Sequence, residues 1–172
     1  MKCLGILWNG MQDFKTEALG NIKEYASIID IIDINLNEKY ENFVRDIYSL
    51  DDIATWKVDK KIETMFQCSD NRIISVVIMN IDVKEQYFHE LKKRMVFTNL
   101  ENMKTEIRRI YSKKVNCYFF DNVFHVTDNE KEFYDDLNVV IQYINEIENN
   151  LSENKIKILK KVYGNENRDT NN

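Results

Sequence analysis

Arg72-Ile-Ile-Ser-Val-Val-Ile-Met-Asn-Ile81 is β-branched and apolar with scarcely a break. A strand wetted on one side alternates apolar with polar residues; a strand apolar on both phases is covered on both faces. The stretch therefore predicts a central strand sandwiched between helices. Two comparable runs precede it: Lys2–Trp8 reads as a buried first strand, and Ser27–Leu36, with no helical face, as a second. Lys114–Phe120 reads as a fourth strand, with Val123–Val126 either continuing it or following a short break.

Helical spacing fills the intervals. Phe14, Ala18, Ile22 and Tyr25 recur along Asp13–Tyr25, and helices are expected over Glu38–Ser49 and Asp51–Phe66, the second with Ile53, Trp56, Ile62 and Phe66 on one side. Polar helical segments are expected at Val83–Arg94 and Asn99–Ser112. The clearest helix, Asn129–Asn149, carries Phe133, Leu137, Val140, Ile141, Ile144 and Ile147 on one stripe. A short docked helix is expected over Ser152–Tyr163, and Gly164–Asn172, which has no apolar residue, reads as a disordered tail. Strands with helices between them predict one α/β (α+β) domain over residues 1–149, its helices packed on a mixed or antiparallel sheet.

Composition narrows the functional classes. At 172 residues, 44% hydrophobic and 31% charged, the chain belongs with soluble globular domains large enough for a proper core. No apolar run has the length of a membrane span, and Met1–Trp8 is too short for a secretory signal. Cys3, Cys68 and Cys117 are odd in number and widely spaced, which predicts reduced cysteines in a cytoplasmic protein. A net charge of −5 argues against a nucleic-acid partner. That charge is uneven: Lys84–Lys114 holds nine Lys/Arg against four Glu, a net +5, leaving −10 elsewhere. Such a segment suits a polyphosphate ligand, though solvated helix faces are as common.

The chemistry-bearing stretch is Asp121-Asn-Val-Phe-His125-Val-Thr-Asp128-Asn-Glu-Lys-Glu132, where a histidine ends an apolar run and a helix opens behind it. Imidazole can accept a phosphoryl group or a proton near neutrality. Helix-start N–H groups favour anions. The plainer reading makes Thr127 or Asp128 an N-cap and His125 a strand-end filler.

Asn122-Val-Phe-His125-Val126-Thr127-Asp128-Asn129-Glu130 resembles the N-x-x-H-G-S-D-S-x-E motif of nucleoside diphosphate kinases, in which the histidine is phosphorylated. The element order over about residues 2–147 also resembles that family's ferredoxin-like core with its inserted helix pair. The resemblance implies a ferredoxin-like four-stranded sheet, His125 as nucleophile and Asp136 as the carboxylate that holds its ring. It implies phosphate or nucleotide contacts from Asn122 and Thr127, from Thr98 (in Thr98-Asn99), and from Arg108 or Arg109 (in Glu106-Ile107-Arg108-Arg109). The implied ligands are ATP or another NTP with Mg²⁺ arriving on the nucleotide, or a phosphorylated small molecule, and a homo-oligomer is compatible. Three departures stand out. Leu7-Trp8-Asn9-Gly10 lacks the family's first-strand lysine, Val126 replaces the glycine after the histidine, and the Pro-Gly before the family's arginine is absent, with the loop there too short for its nucleotide-binding and trimer contacts. Lys57, Lys60 and Lys61 on the second inserted helix are the candidates for the missing charge, Lys60 being the one assigned to the site.

Plain competitors stand beside each residue. Thr98 and Glu101 fit a capping box. Arg108 and Arg109 lie off the Leu100, Met103, Ile107, Ile110 stripe and can be solvated, while Asp136 favours its own helix's start. Trp8 and Trp56 read as core, and His89 has no assigned role. The leading expectation is a phosphoryl- or nucleotidyl-transfer enzyme, with a part in surface-polysaccharide assembly compatible with it. The alternatives are a nucleotide- or phosphate-binding module without turnover and a protein-interaction domain.

Overall fold

The computed structural model describes residues 1–51 and 53–147. From the N-terminus the chain runs through β1 (Lys2–Leu7), a 3-10 turn at Asn9–Phe14, α1 (Lys15–Ile22) and β2 (Ala26–Asn35). It continues through α2 (Tyr40–Ser49), α3 (Thr55–Cys68), β3 (Ile73–Ile81), β4 (Gln86–His89) and β5 (Arg94–Phe97). The last elements are α4 (Thr98–Tyr111), β6 (Phe124–Val126) and α5 (Glu130–Ile147). The main sheet has four strands in the order β2-β3-β1-β6, antiparallel throughout. With α1 joining β1 to β2 and α4 leading from β3 toward β6, this is the ferredoxin-like order. The α2–α3 pair is inserted between β2 and β3, and the β4–β5 hairpin between β3 and α4.

The unbroken apolar character of β3 has its reason in this layering. Ile74, Val76 and Ile78 enter one core with Leu4 and Ile6, covered by α2, α3 and α5. Val77, Met79 and Ile81 enter a second core with Cys3 and Leu7, covered by α1 and α4. Each face is dry, so the buried positions of the strand are apolar on both phases but for Ser75, whose hydroxyl donates to Asp33 Oδ1 at 2.6 Å. Gly5 sits where the sheet tolerates nothing larger: a Cβ there would lie 2.8 Å from Met79 Cε and 2.9 Å from Phe124 Cε2.

Two expected elements take other forms. Val83–Arg94 is not a helix. Its second half forms the β4–β5 hairpin, with Phe88 opposite Met95, and the tight turn puts Lys93 in the left-handed region at φ 52°. Tyr87 and Phe88 in one strand and Val96 and Phe97 in the other are residue types that favour that form over a helix. Lys114–Phe120 is not the fourth strand. The edge of β1 is taken instead by residues 124–126, with Ile6 opposite His125. The segment before them closes in turns: Val115 N–H donates to Tyr111 O at 3.0 Å and Asn122 N–H to Phe119 O at 3.0 Å. The expected Ser152–Tyr163 helix, the 164–172 tail and the last residues to Asn149 lie outside the described residues.

Candidate functional site around His125

Because Ile6 faces the α2/α3/α5 core, its partner His125 points its ring to the same side. There His125 Nε2 meets Asp136 Oδ2 at 2.7 Å, with Asp136 on the second turn of α5. A carboxylate only accepts, so the contact assigns the proton to Nε2 and leaves the lone pair of the neutral ring on Nδ1. Among the described residues no hydrogen bond reaches Nδ1. The ring is 7% exposed and Asp136 3%. Val126 does not crowd the ring, since the next residue along a strand faces the other way and Val126 packs into the second core.

Tyr48 and Asp51, which sequence reasoning passed over, complete the surroundings with Lys61, one of the three lysines considered for the missing charge. Tyr48, at the end of α2, meets the His125 ring edge-on with centroids 5.5 Å apart. Its hydroxyl accepts from Lys61 Nζ at 2.9 Å, and the same ammonium lies 4.1 Å from the Tyr48 ring centre. Lys61 is 5% exposed, and among the described residues no carboxylate stands within ion-pair distance of it. Burial pulls its amine down to about 7, against the opposing field of Asp121. Asp51, just beyond α2, has its carboxyl pushed up by burial; His125 opposes that rise and Asp136 adds to it. The helical periodicity of α2 marks Tyr48 as apolar-facing but carries no sign of the histidine it would meet.

Arg108 approaches the same place from α4. Its Nε donates to Phe124 O at 3.2 Å, and its guanidinium pairs with Asp121 at 3.1 Å. Asp121 also accepts from Tyr118 Oη at 2.5 Å. The turn presenting it is unusual, with Phe120 at φ 42° and Asp121 at φ 58°, both in the left-handed region.

The remaining candidates have other employment. Asn122 donates to Cys117 O at 2.8 Å and Thr64 Oγ1 at 3.2 Å, and its Oδ1 accepts from Phe119 N–H at 3.2 Å, so it ties the turn to α3. Thr127 Oγ1 accepts from Leu4 N–H at 3.0 Å, lengthening the β1–β6 pairing. Arg109 is exposed and pairs with Glu106 at 2.6 Å, and Lys60 pairs with Glu63 at 2.8 Å. Thr98 opens α4 as its first helical residue, its N–H donating to Glu85 O at 3.0 Å; the expected capping box does not form. Glu101 turns instead to Lys92 at 2.7 Å. The start of α5 is capped by Asn129, whose Oδ1 accepts from Glu132 N–H at 2.9 Å, while Glu132 accepts from Asp128 N–H at 2.6 Å. Its N-terminal N–H groups are thus partly satisfied from within the chain.

The basic segment is largely neutralised in the same way. Lys104 and Arg94 pair with Asp128, Arg94 also with Glu132 at 3.1 Å, and Lys114 with Glu17. At the end of β1, Asn9 stands near the place where the family resemblance implies a lysine. It is 1% exposed and donates to Met65 O at 2.9 Å while accepting from Tyr40 Oη at 2.8 Å, a structural tie between α2 and α3.

Trp8 is fully buried, but Trp56 is 60% exposed at the first turn of α3, against the expectation of a core residue. Lys57 Nζ lies 5.7 Å from the Trp56 ring and 4.6 Å from the Phe120 ring. A depression of about 480 Å³ beside them is lined by Trp56, Asp59, Lys60, Glu63 and Phe119, and a second of about 400 Å³ by Met1, Val83, Phe97, Asn129 and Glu130. Neither includes His125 in its lining. Among the described residues no three His, Cys, Asp or Glu side chains converge to hold a metal ion, and no helix is long and apolar enough to cross a membrane. Cys68 and Cys117, distant in sequence, are neighbours, with Cys68 Sγ 3.2 Å from Cys117 O.

No family model and no curated protein matches the chain. Among solved structures it is similar to the nucleoside diphosphate kinase of Aquifex aeolicus in an orthorhombic crystal form, at 13% identity and a TM-score of 0.44, over 81% of this chain and 93% of that one. The ferredoxin-like assignment stands on the strand order and layering of the chain itself.

Proposed function

We propose that the chain handles the phosphoryl group of a nucleotide or phosphorylated small molecule at His125, with Nδ1 as the atom that attacks phosphorus. The observation carrying this reading is the 2.7 Å contact of His125 Nε2 with Asp136, which orients the ring and leaves Nδ1 available. Asp136 steadies the positive charge that the ring gains as the N–P bond forms and the P–O bond to the rest of the substrate breaks, its electron pair leaving on that oxygen (for ATP, with ADP). Arg108 is the cation suited to the equatorial oxygens, since charge stabilisation is the protein's main contribution to phosphoryl transfer. The exposed Trp56 and Phe120 rings, both near Lys57 Nζ, offer a stacking surface, and Phe120 directly precedes Asp121, the partner of Arg108. Mg²⁺ would enter on the nucleotide's phosphates, held by their oxygens and water.

A second reading, a binding module without turnover, is favoured by the low exposure of His125 and by the engagement of Arg108 with Asp121. Incubation with γ-labelled ATP and Mg²⁺ separates the two. Transfer predicts an acid-labile, base-stable label on wild-type protein that disappears in His125→Asn. Nucleotide binding with no label across a range of pH selects the binding module.

A further inference from the structure

Lys61 and Arg108 are two cations converging on the His125 end of the sheet, one held by Tyr48 and the other by Phe124 O. Among the described residues the Lys61 ammonium finds one hydrogen-bond acceptor, the Tyr48 hydroxyl, which leaves most of its donor capacity unused. The nearest anion to this pair comes from the chain itself. Asp121 meets Arg108 at 3.1 Å, and its charge is the largest favourable field on Lys61. Its carboxylate is held there by Tyr118 at 2.5 Å, on a turn whose two consecutive left-handed residues are not glycine. Non-glycine residues in that region store conformational strain, which relaxation of the turn would release. With 38% of its side chain exposed, Asp121 also has a route outward to solvent.

We infer that Lys61 and Arg108 form an anion-binding site that the Asp121 carboxylate fills as an internal placeholder, displaced when a phosphate group binds. The inference deepens the reading of His125 as a phosphoryl-handling residue and rests on it for the identity of the anion. A phosphate oxygen offers Arg108 what the carboxylate does, and a phosphate's greater charge and extra oxygens add to the favourable field that Asp121 already exerts on Lys61. Four groups around Lys61 set its charge: Tyr48 from α2, Asp51 after it, Arg108 from α4 and Asp121 from the turn. Binding an anion should accordingly draw a proton onto Lys61 at pH 8.

The test is calorimetric titration with inorganic pyrophosphate. Asp121→Asn should bind it about 10- to 100-fold more tightly than wild type, the range of one released charged hydrogen bond. Adding Arg108→Ala or Lys61→Met to that variant should remove the gain, whereas adding His125→Gln should keep it. An unchanged or weakened affinity in folded Asp121→Asn overturns the inference, as does a gain that survives both cation substitutions. Should Asp121→Asn not fold, Tyr118→Phe keeps the carboxylate but removes one of its holds, and must raise affinity a few-fold; no rise there overturns it too. The two ideas fail separately. A gain without phosphohistidine removes transfer and leaves the placeholder, while a label with no effect of Asp121→Asn removes the placeholder alone.

Discussion

Replacing Lys61 by methionine should stabilise the protein, and by an amount that depends on pH. Burial lowers the Lys61 amine from 10.5 to about 7. At about 1.4 kcal/mol per pH unit, keeping it charged inside the fold below neutrality costs about 5 kcal/mol. Between pH 7 and 10.5 the unfolded chain holds one proton more than the native one, so the Lys61 contribution makes stability rise with pH there. Below pH 7 both states are protonated and the penalty is complete. Methionine fills nearly the same volume without charge, but forfeits the bond to Tyr48 Oη, about 1 kcal/mol, and the contact with its ring, about 1 kcal/mol. The expected net gain is therefore about 3 kcal/mol at pH 6, falling to about zero near pH 9. Urea unfolding of both proteins at pH 6, 7, 8 and 9 reads this difference directly. A wild-type-to-variant difference that stays flat over that interval, or a variant less stable at pH 6, would refute the account of Lys61 as a buried charge without a carboxylate partner.

Asn122→Ala should cost about 2–4 kcal/mol in the same assay, because it strips buried bonds to Cys117, Thr64 and Phe119 at once. A loss under 0.5 kcal/mol would show that the turn before His125 holds itself. Gly5→Ala should lower stability by about 1–3 kcal/mol through the clash with Met79 and Phe124, measurable as a drop in Tm; an unchanged Tm would mean both side chains move aside freely. Lys60→Ala and Arg109→Ala, which remove exposed pairs with neighbours on their own helices, should each leave the urea midpoint unchanged and pyrophosphate affinity at the wild-type value. A tenfold loss of affinity in either would restore that residue to the anion site.

Periodicity carried the sheet. The run 72–81 identifies its interior strand because burial on both faces demands apolar residues on both phases, a requirement visible without coordinates. The α5 stripe is legible for the same reason. Residues 83–94 and 114–120 misled because short aromatic or mixed stretches suit several local forms, and pairing partners choose among them. At the site, residue type and setting drew attention to His125, the family resemblance implied Asp136 eleven residues on, and the two side chains meet at 2.7 Å.

Residues separated by long stretches of chain were beyond that kind of reading. Tyr48 and Lys61 come from the inserted helices, and only packing of α2 and α3 against the sheet carries them to the histidine. Charge behaved likewise: the positive run from Lys84 to Lys114 is a fact of sequence, yet Asp128, Glu132 and Glu17 neutralise much of it from elsewhere. The amino-acid order by itself determined which segments must be buried and singled out His125 as the candidate histidine, since hydrophobic period and side-chain type are local properties. That Arg108 meets Asp121 beside that histidine, while among the described residues no carboxylate pairs with Lys61, was decided only by the tertiary structure, because electrostatic pairing depends on distance in space and on the water that packing excludes.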